Sequence, residues 1–371
     1  MKTQNPRLKI RKFVLNAPNS VFLPSEDGYF RLNHNETTGL ISQKLARKII
    51  SGNLNALSEY PSYRELHEAI ARYAAVSVHM IHTTNGSDDA IPKIIRMLFD
   101  GKRKVLLTVP TFPTYERALK IEGIPFRGIA YTPGVRAFEF PMKQVLTELK
   151  SPRVQGLIIC NPSNPLGTGI DKYAVKKLAD ACKKKSIPLI IDEAYLEFHK
   201  VSAVSLLKTH PNVIILRTFS KTFGLAGLRL GYVIAVPSVI ASLKKLSLPW
   251  EVNHAAMRAG LVVLKHKKHF LTELKRTIKR REAMSVLFQH HGIRTMNSKA
   301  NFIVCKTPRM LSLVHTLKKH KIVVKSMSPA SVHLPFLADC FRISVPGPDI
   351  EKAAFRHITS ALREYTKLHE N

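Results

Sequence analysis

Between residue 36 and about residue 245, short runs of β-branched and other apolar residues alternate with stretches whose apolar positions recur every three or four residues. The runs at 104–108, 125–131, 154–160, 188–191, 213–218 and 230–236 are strand-sized, and the periodic stretches at 87–99, 114–122, 172–185 and 239–246 are helical. Buried strands alternating with amphipathic helices predict an α/β fold, a mostly parallel sheet covered by helices on both faces. After Ser247-Leu248-Pro249-Trp250 the pattern changes. A long helical stretch from 253 to about 289 leads into strands at 300–305, 322–325 and 340–345 and a closing helix from 350 to about 368. The expected organisation is an N-terminal arm (1–35, with Pro6, Pro18 and Pro24), a large domain (36–248) and a smaller α+β domain (249–371).

No apolar run approaches the ~20 residues a membrane-spanning helix needs. Residues 1–12 are basic without the apolar stretch of a secretory signal. Cys160, Cys182, Cys305 and Cys340 are far apart, with no CxxC pair and no metal-ligand spacing. Free thiols in a reducing compartment and no metal are expected, hence a cytoplasmic protein. Lys and Arg number 58 against 26 Asp and Glu, a formal charge of +32. Such a field attracts anions, nucleic acid included. The basic residues are spread along the chain, however, without zinc-finger spacing or an aromatic-interleaved basic stretch, so a nucleic-acid partner is not expected.

Five segments carry candidate chemistry: Thr84-Asn85-Gly86-Ser87-Asp88, Pro110-Thr111-Phe112, 161–167 (NPSNPLG), Asp192-Glu193-Ala194-Tyr195, and 220–229 (SKTFGLAGLR). In sheets of this kind ligands sit at the carboxyl ends of the strands, where these segments fall. Lys221, just after an apolar strand, is a candidate Schiff-base former, because desolvation lowers an amine's pKa. Ser220, Arg229 and glycines at 224, 227 and 231 around it suit an anion such as phosphate. Gly86-Ser87-Asp88 opens a helix, with Ser87 or Asp88 as the expected cap and a second wall of a phosphate cup. Asp192 ends an apolar run and calls for a cationic partner, such as a protonated pyridine nitrogen. Tyr195 can reach the same ligand's ring oxygen, Phe112 can stack on a flat ring, and Asn164 is held in a proline-fixed turn.

These segments, in this order and spacing, resemble the aspartate-aminotransferase fold group of pyridoxal-phosphate enzymes, and most closely its histidinol-phosphate aminotransferase branch. The resemblance runs from about Leu32-Asn33 to Arg342. It implies a large cofactor-binding domain and an aminotransferase working between an amino donor, histidinol phosphate favoured, and a 2-oxo acid acceptor, in histidine biosynthesis. It implies that Lys221 carries pyridoxal 5'-phosphate as a Schiff base and moves the substrate's proton. Asp192 would pair with the ring nitrogen, Asn164 and Tyr195 would bind the ring oxygen, and Phe112 would stack on the ring. Gly86, Ser87, Asp88, Ser220 and Arg229 would hold the phosphate, joined by Tyr60 from a neighbouring subunit of a homodimer. Arg342 would clamp a substrate carboxylate, and Asn33 would line the substrate pocket.

Three segments depart from the branch's pattern. Asn35-Glu36-Thr37-Thr38-Gly39 lacks the usual Asn-Pro, Val323-Val324-Lys325 has lysine where the branch often carries arginine, and Val345-Pro346-Gly347-Pro348 replaces Val-Gly. Two other functions fit the sequence less closely: a decarboxylase on the same scaffold resembling threonine-phosphate decarboxylase, and a non-catalytic nucleic-acid-binding or regulatory protein.

Overall fold

The structure is a computed structural model that describes residues 12–16, 26–50, 58–327 and 334–369. Its larger sheet has seven strands, here β1 (Ile81–Asn85), β2 (Lys104–Val109), β3 (Phe126–Ala130), β4 (Val154–Cys160), β5 (Leu189–Asp192), β6 (Val213–Thr218) and β7 (Leu230–Ile234). Their spatial order is β1-β7-β6-β5-β4-β2-β3. All pairings are parallel except those of β7, which runs antiparallel to both of its neighbours. The mostly parallel sheet expected from the apolar runs is therefore present. β1 is a strand that the pattern did not reveal: it lies at the sheet edge, and its sequence IHTTN is largely polar.

Successive residues of the central strands face opposite layers, as a period of two requires. Leu189, Ile191, Val213 and Ile215 pack with Val175 and Leu178 on one face, while Ile190, Ile214 and Leu216 pack with Ile91, Ile94 and Leu119 on the other. Helices α1 (Ser87–Leu98) and α2 (Pro113–Glu122) cover the second face, and α3 (Lys172–Lys184) covers the first. Each buried Leu or Ile contributes ~1.5–3 kcal/mol. The helix signals are local and readable: Pro113 begins α2, and Gly123, at φ 72°, ends it.

The predicted helical stretch 253–289 is two helices, α4 (His254–Lys265) and α5 (Lys267–His290), separated at His266. The break lets them serve different layers. Ala256, Met257 and Val263 of α4 join the core of the large sheet, whereas Met284 and Phe288 of α5 join a second core. Asn253 caps α4 by accepting from the Ala256 N–H at 2.8 Å, worth about 1 kcal/mol.

A four-stranded antiparallel sheet, order β8-β9-β11-β10, forms the smaller layer from β8 (Arg294–Met296), β9 (Phe302–Lys306), β10 (Lys325–Ser326) and β11 (Cys340–Ser344). Helices α6 (Met310–Lys319) and α7 (Glu351–Lys367) pack on it through Leu313, Leu317, Ile358 and Leu362. The single strand predicted at 322–325 is split at Val324. Ile322–Val323 pairs in parallel with Phe30–Arg31, and only Lys325–Ser326 joins the four-stranded sheet. Leu32 is buried in this second core, so residues 30–32, expected as part of an arm, are tied to the C-terminal layer. All four cysteines are free and buried. Among the described residues no helix is long and apolar enough to cross a membrane.

Candidate active site

Every parallel strand of the large sheet delivers its carboxyl end to one edge, and antiparallel β7 brings its amino end there. Leu230 pairs with Asn85, and Gly231 pairs with Thr218, so Arg229 emerges beside Gly86 and Ser220. A cavity of about 1240 Å³ opens at this edge, closed on its other side by the smaller layer and the segment 33–36. Asn33, Ser87, Asp88, Phe112, Asn164, Asp192, Tyr195, Ser220, Lys221, Arg229 and Arg342 all line it. Of the residues expected at the site, Gly86 and Tyr60 are not among the lining groups.

Gly86 lies immediately behind Arg229. It has φ 77°, and a Cβ there would come within 2.6 Å of the Arg229 guanidinium. It also corrects the cap: Gly86, not Ser87 or Asp88, takes the N-cap of α1, because only glycine accepts that backbone beside Arg229. Ser87 becomes the first residue of the helix, where free N–H groups and the helix dipole favour an anion. Gly231 is required by proximity: a Cβ would meet the Ser87 nitrogen at 2.4 Å. Arg229 donates to Asp88 Oδ2 at 2.8 Å, and the buried Ser220 hydroxyl accepts from Thr218 at 3.0 Å.

Lys221 follows β6 by three residues and lies with its Nζ 3.2 Å from the Asn35 carbonyl oxygen and 3.3 Å from that of His34. Burial, seconded by the nearby Arg342 cation, lowers its pKa to about 8. Asp192 closes β5, buried, and accepts from the Tyr115 hydroxyl and the Ala194 N–H, each at 3.0 Å. Burial raises its pKa to about 6 despite those two donors. Among the described residues no cation pairs with it.

Tyr195 is buried with its ring edge against Phe302, and its hydroxyl accepts from Asn35 Nδ2 at 2.8 Å. Phe112, which lines the cavity, meets Tyr115 edge to face at 6.5 Å, and Tyr115 in turn donates to Asp192. From the other layer, Arg342 on β11 donates to Asn164 Oδ1 at 2.6 Å and to the Asn33 carbonyl, and its guanidinium lies 5.3 Å from the Phe302 ring centre. It is buried, its Nε has no partner, and no carboxylate pairs with it among the described residues. Asn33 donates to Glu26 at 3.1 Å, while its buried Oδ1 is unpartnered.

Tyr60 is placed elsewhere. It is 77 % exposed and stacked on Trp250 at 4.0 Å. Two residues in contact with the reactive groups, Tyr115 and Asn35, were not singled out from the sequence. Tyr115 follows Phe112 by three residues on α2, a spacing that a helical face makes meaningful. Asn35 stands in the very segment that departs from the expected motif.

Taken together, the doubly covered sheet, the lysine at its carboxyl edge and the facing carboxylate and guanidinium define a group-transfer enzyme for an amine and an acid. The sequence match makes the class definite: residues 27–356 match aminotransferase class I and II, and the chain belongs to that family. It is 30% identical over 339 residues to histidinol-phosphate aminotransferase 1 of Carboxydothermus hydrogenoformans, covering 90% of this chain and 93% of that one. It is 28% identical over 346 residues to the histidinol-phosphate aminotransferase of Desulfitobacterium hafniense strain Y51, covering 90% and 92%. The fold superposes with TM-score 0.84 on the histidinol-phosphate aminotransferase of Sinorhizobium meliloti, solved with pyridoxal-5'-phosphate, at 20% identity and covering 98% and 99% of the two chains.

Proposed function

We propose that this aminotransferase uses pyridoxal 5'-phosphate to move an amino group between histidinol phosphate and a 2-oxo acid. The observation that carries the reading is one cavity holding an amine of lowered pKa (Lys221), a buried carboxylate without a cation (Asp192) and a buried guanidinium without an anion (Arg342). A buried unpaired charge is costly, so each calls for a partner of opposite sign. The cofactor fits that set. Lys221 would be its covalent attachment point, Asp192 would hold a proton on the ring nitrogen, and Phe112 would cover the ring. Asn164 and Tyr195 would bind the ring oxygen, and Gly86, Ser87, Asp88, Ser220 and Arg229 would hold the phosphate. When bound, pyridoxal phosphate supplies an electron sink for the carbon that loses its proton. Lys221 Nζ, close to neutral pKa, is the base that takes that proton and returns it.

Arg342 and Asn33 serve the substrate. Histidinol phosphate carries a phosphate ester where an amino acid carries a carboxylate, so donor and 2-oxo acid each bring an anion to Arg342, which has no carboxylate partner among the described residues. Lys325, on β10, lines the same cavity and supplies a point charge towards the donor's phosphate. The names of the curated relatives support this donor.

The division into arm, large cofactor-binding domain (36–248) and small domain (249–371) is proposed with one extension. The core packing of α4 supports carrying the large domain on to about Phe270. A cytoplasmic setting is supported by the four buried free thiols. A homodimer in which Tyr60 completes the neighbouring site is supported by its exposure outside this chain's own cavity. Mixing unfolded and refolded Y60A and K221A chains tests it: hybrids regain one intact site, about a quarter of full activity in a random mixture. No recovery would mean that Tyr60 does not act across subunits.

The function is tested by a visible absorbance scan of purified protein with pyridoxal phosphate, repeated after adding histidinol phosphate. A yellow protein that bleaches, releasing an aldehyde product, is expected. Bleaching only by other amines would overturn the donor, carbon dioxide release would point to a decarboxylase, and a protein that stays colourless would overturn the assignment of Lys221.

A further inference from the structure

We infer that Asn35 is a positioning residue that sets which way the Tyr195 hydroxyl points, and so makes Tyr195 a hydrogen-bond donor into the cavity. The inference rests on the proposed function and deepens it. Asn35 is buried, in the left-handed region at φ 56°, and belongs to the segment that enters from the smaller layer. Its two side-chain ends are committed to different partners. Oδ1 accepts from the Ser344 hydroxyl at 3.0 Å, and Nδ2 donates to the Tyr195 hydroxyl at 2.8 Å.

Ser344 fixes the orientation of that amide. Its oxygen accepts the Asn35 backbone N–H at 2.9 Å, which leaves its single proton for Asn35 Oδ1. Turning the amide over would leave the proton of the buried Ser344 hydroxyl without the acceptor it has here, so Nδ2 stays on the Tyr195 side. Tyr195 must then accept from Asn35, and its own proton is turned towards the cavity that it lines. An oxygen of a bound cofactor or substrate receives it there.

The same residue ties the site together through its backbone. The Asn35 carbonyl accepts from Lys221 Nζ at 3.2 Å and from Asn301 Nδ2 at 3.0 Å. Asn301 and Ser344 belong to the smaller layer, while Tyr195 and Lys221 belong to the edge of the large sheet. The polarity of Tyr195 is thereby set from across the cavity, by the layer that also carries Arg342.

The test separates the side chain from the carbonyl. N35G keeps both the carbonyl and the left-handed backbone and removes only the amide, and S344A removes the hydroxyl that orients that amide, together with the acceptor of the Asn35 N–H. Each is made with and without Y195F and loaded with pyridoxal phosphate. The readouts are kcat, KM and the pH midpoint of the visible band, with Tm as a check on folding. N35G is expected to lower kcat on the order of 10-fold or more, with KM little changed, and to shift the midpoint in the direction that Y195F shifts it. S344A is expected to move the same quantities less. Added to Y195F, neither is expected to have further effect. Equal losses with and without Y195F would overturn the inference, since Asn35 would then act through the backbone alone. If N35G does not fold, S344A decides in the same way. A wild-type protein that binds no pyridoxal phosphate overturns the proposed function and this inference with it, whereas a yellow, active wild type with additive variants overturns this inference alone.

Discussion

The two walls of the cavity are built differently. On the large-sheet wall, Asp192, Ser220 and Lys221 each sit at or within three residues of the end of a fully buried strand; the partners of Asp192 and Ser220 come from the same sheet or its helices, and only Lys221 reaches across, to the Asn35 and His34 carbonyls. On the facing wall, Arg342, Asn33 and Asn35 are held by hydrogen bonds that cross between layers, and buried polar atoms are left over: Asn33 Oδ1, Asn301 Oδ1 and Arg342 Nε. A wall made of strand ends suits a fixed group, and a wall with spare polar atoms suits ligands that come and go. In the proposed function the first wall holds the cofactor and the second selects the substrate.

The largest expected effect breaks the first wall. K221A removes both the proposed attachment point and the proposed base, and turnover should fall by roughly 10³-fold or more. Substrate binding measured by calorimetry on the cofactor-loaded variant should persist, because the second wall is untouched. Next comes R342A, which should slow both half-reactions, but unequally. Reaction with the 2-oxo acid should slow on the order of 100-fold and reaction with histidinol phosphate on the order of 10-fold, because Lys325 in the same cavity offers the phosphate a second cation. A loss confined to one half in rapid-mixing absorbance traces would show that Arg342 takes only one of the two anions.

A third effect is set by pH. Only the neutral amine of Lys221 can add to an aldehyde, and its pKa is lowered to about 8. Capture of pyridoxal phosphate by cofactor-free protein should therefore accelerate about tenfold between pH 7 and pH 9. A midpoint nearer that of an ordinary lysine would mean that burial and Arg342 do not govern this amine.

The difference between the walls also explains what the sequence made legible. Strand-end residues are announced by the apolar runs before them, so Asp192 and Lys221 could be placed from chain pattern alone, and their roles followed from the resemblance. Tyr115 was missed because it reads as one more core aromatic of α2, and its bond to Asp192 spans 77 positions of sequence. Asn35 was missed for the same physical reason: its side-chain partners, Tyr195 and Ser344, lie in different layers, 160 and 309 positions away. The split of 322–325 was hidden as well, because a run of apolar residues does not say which of two sheets each half will join. Polar β1 gave no strand signal although it leads directly into Gly86 and Ser87 of the proposed phosphate cup.

The smallest expected effect sharpens the comparison from the side of stability. Among the described residues Asp192 has no cation beside it, so without the proposed cofactor the fold bears an unpaired carboxylate. Its pKa is raised by burial from the ordinary 3.8 to about 6. Between those values the folded chain binds a proton that the unfolded chain does not, which stabilises the fold, and this contribution is lost as pH rises through about 6. Cofactor-free D192N should therefore melt above the wild type at pH 8, by on the order of 1–2 kcal/mol, with the gap shrinking at pH 5. Adding pyridoxal phosphate should reverse the order at pH 8, since only the carboxylate gains a cationic partner. A gap that is the same at both pH values would show that the Tyr115 and Ala194 donors already compensate the charge. The first wall would then be complete without its cofactor, and the contrast with the second would lie in selectivity alone.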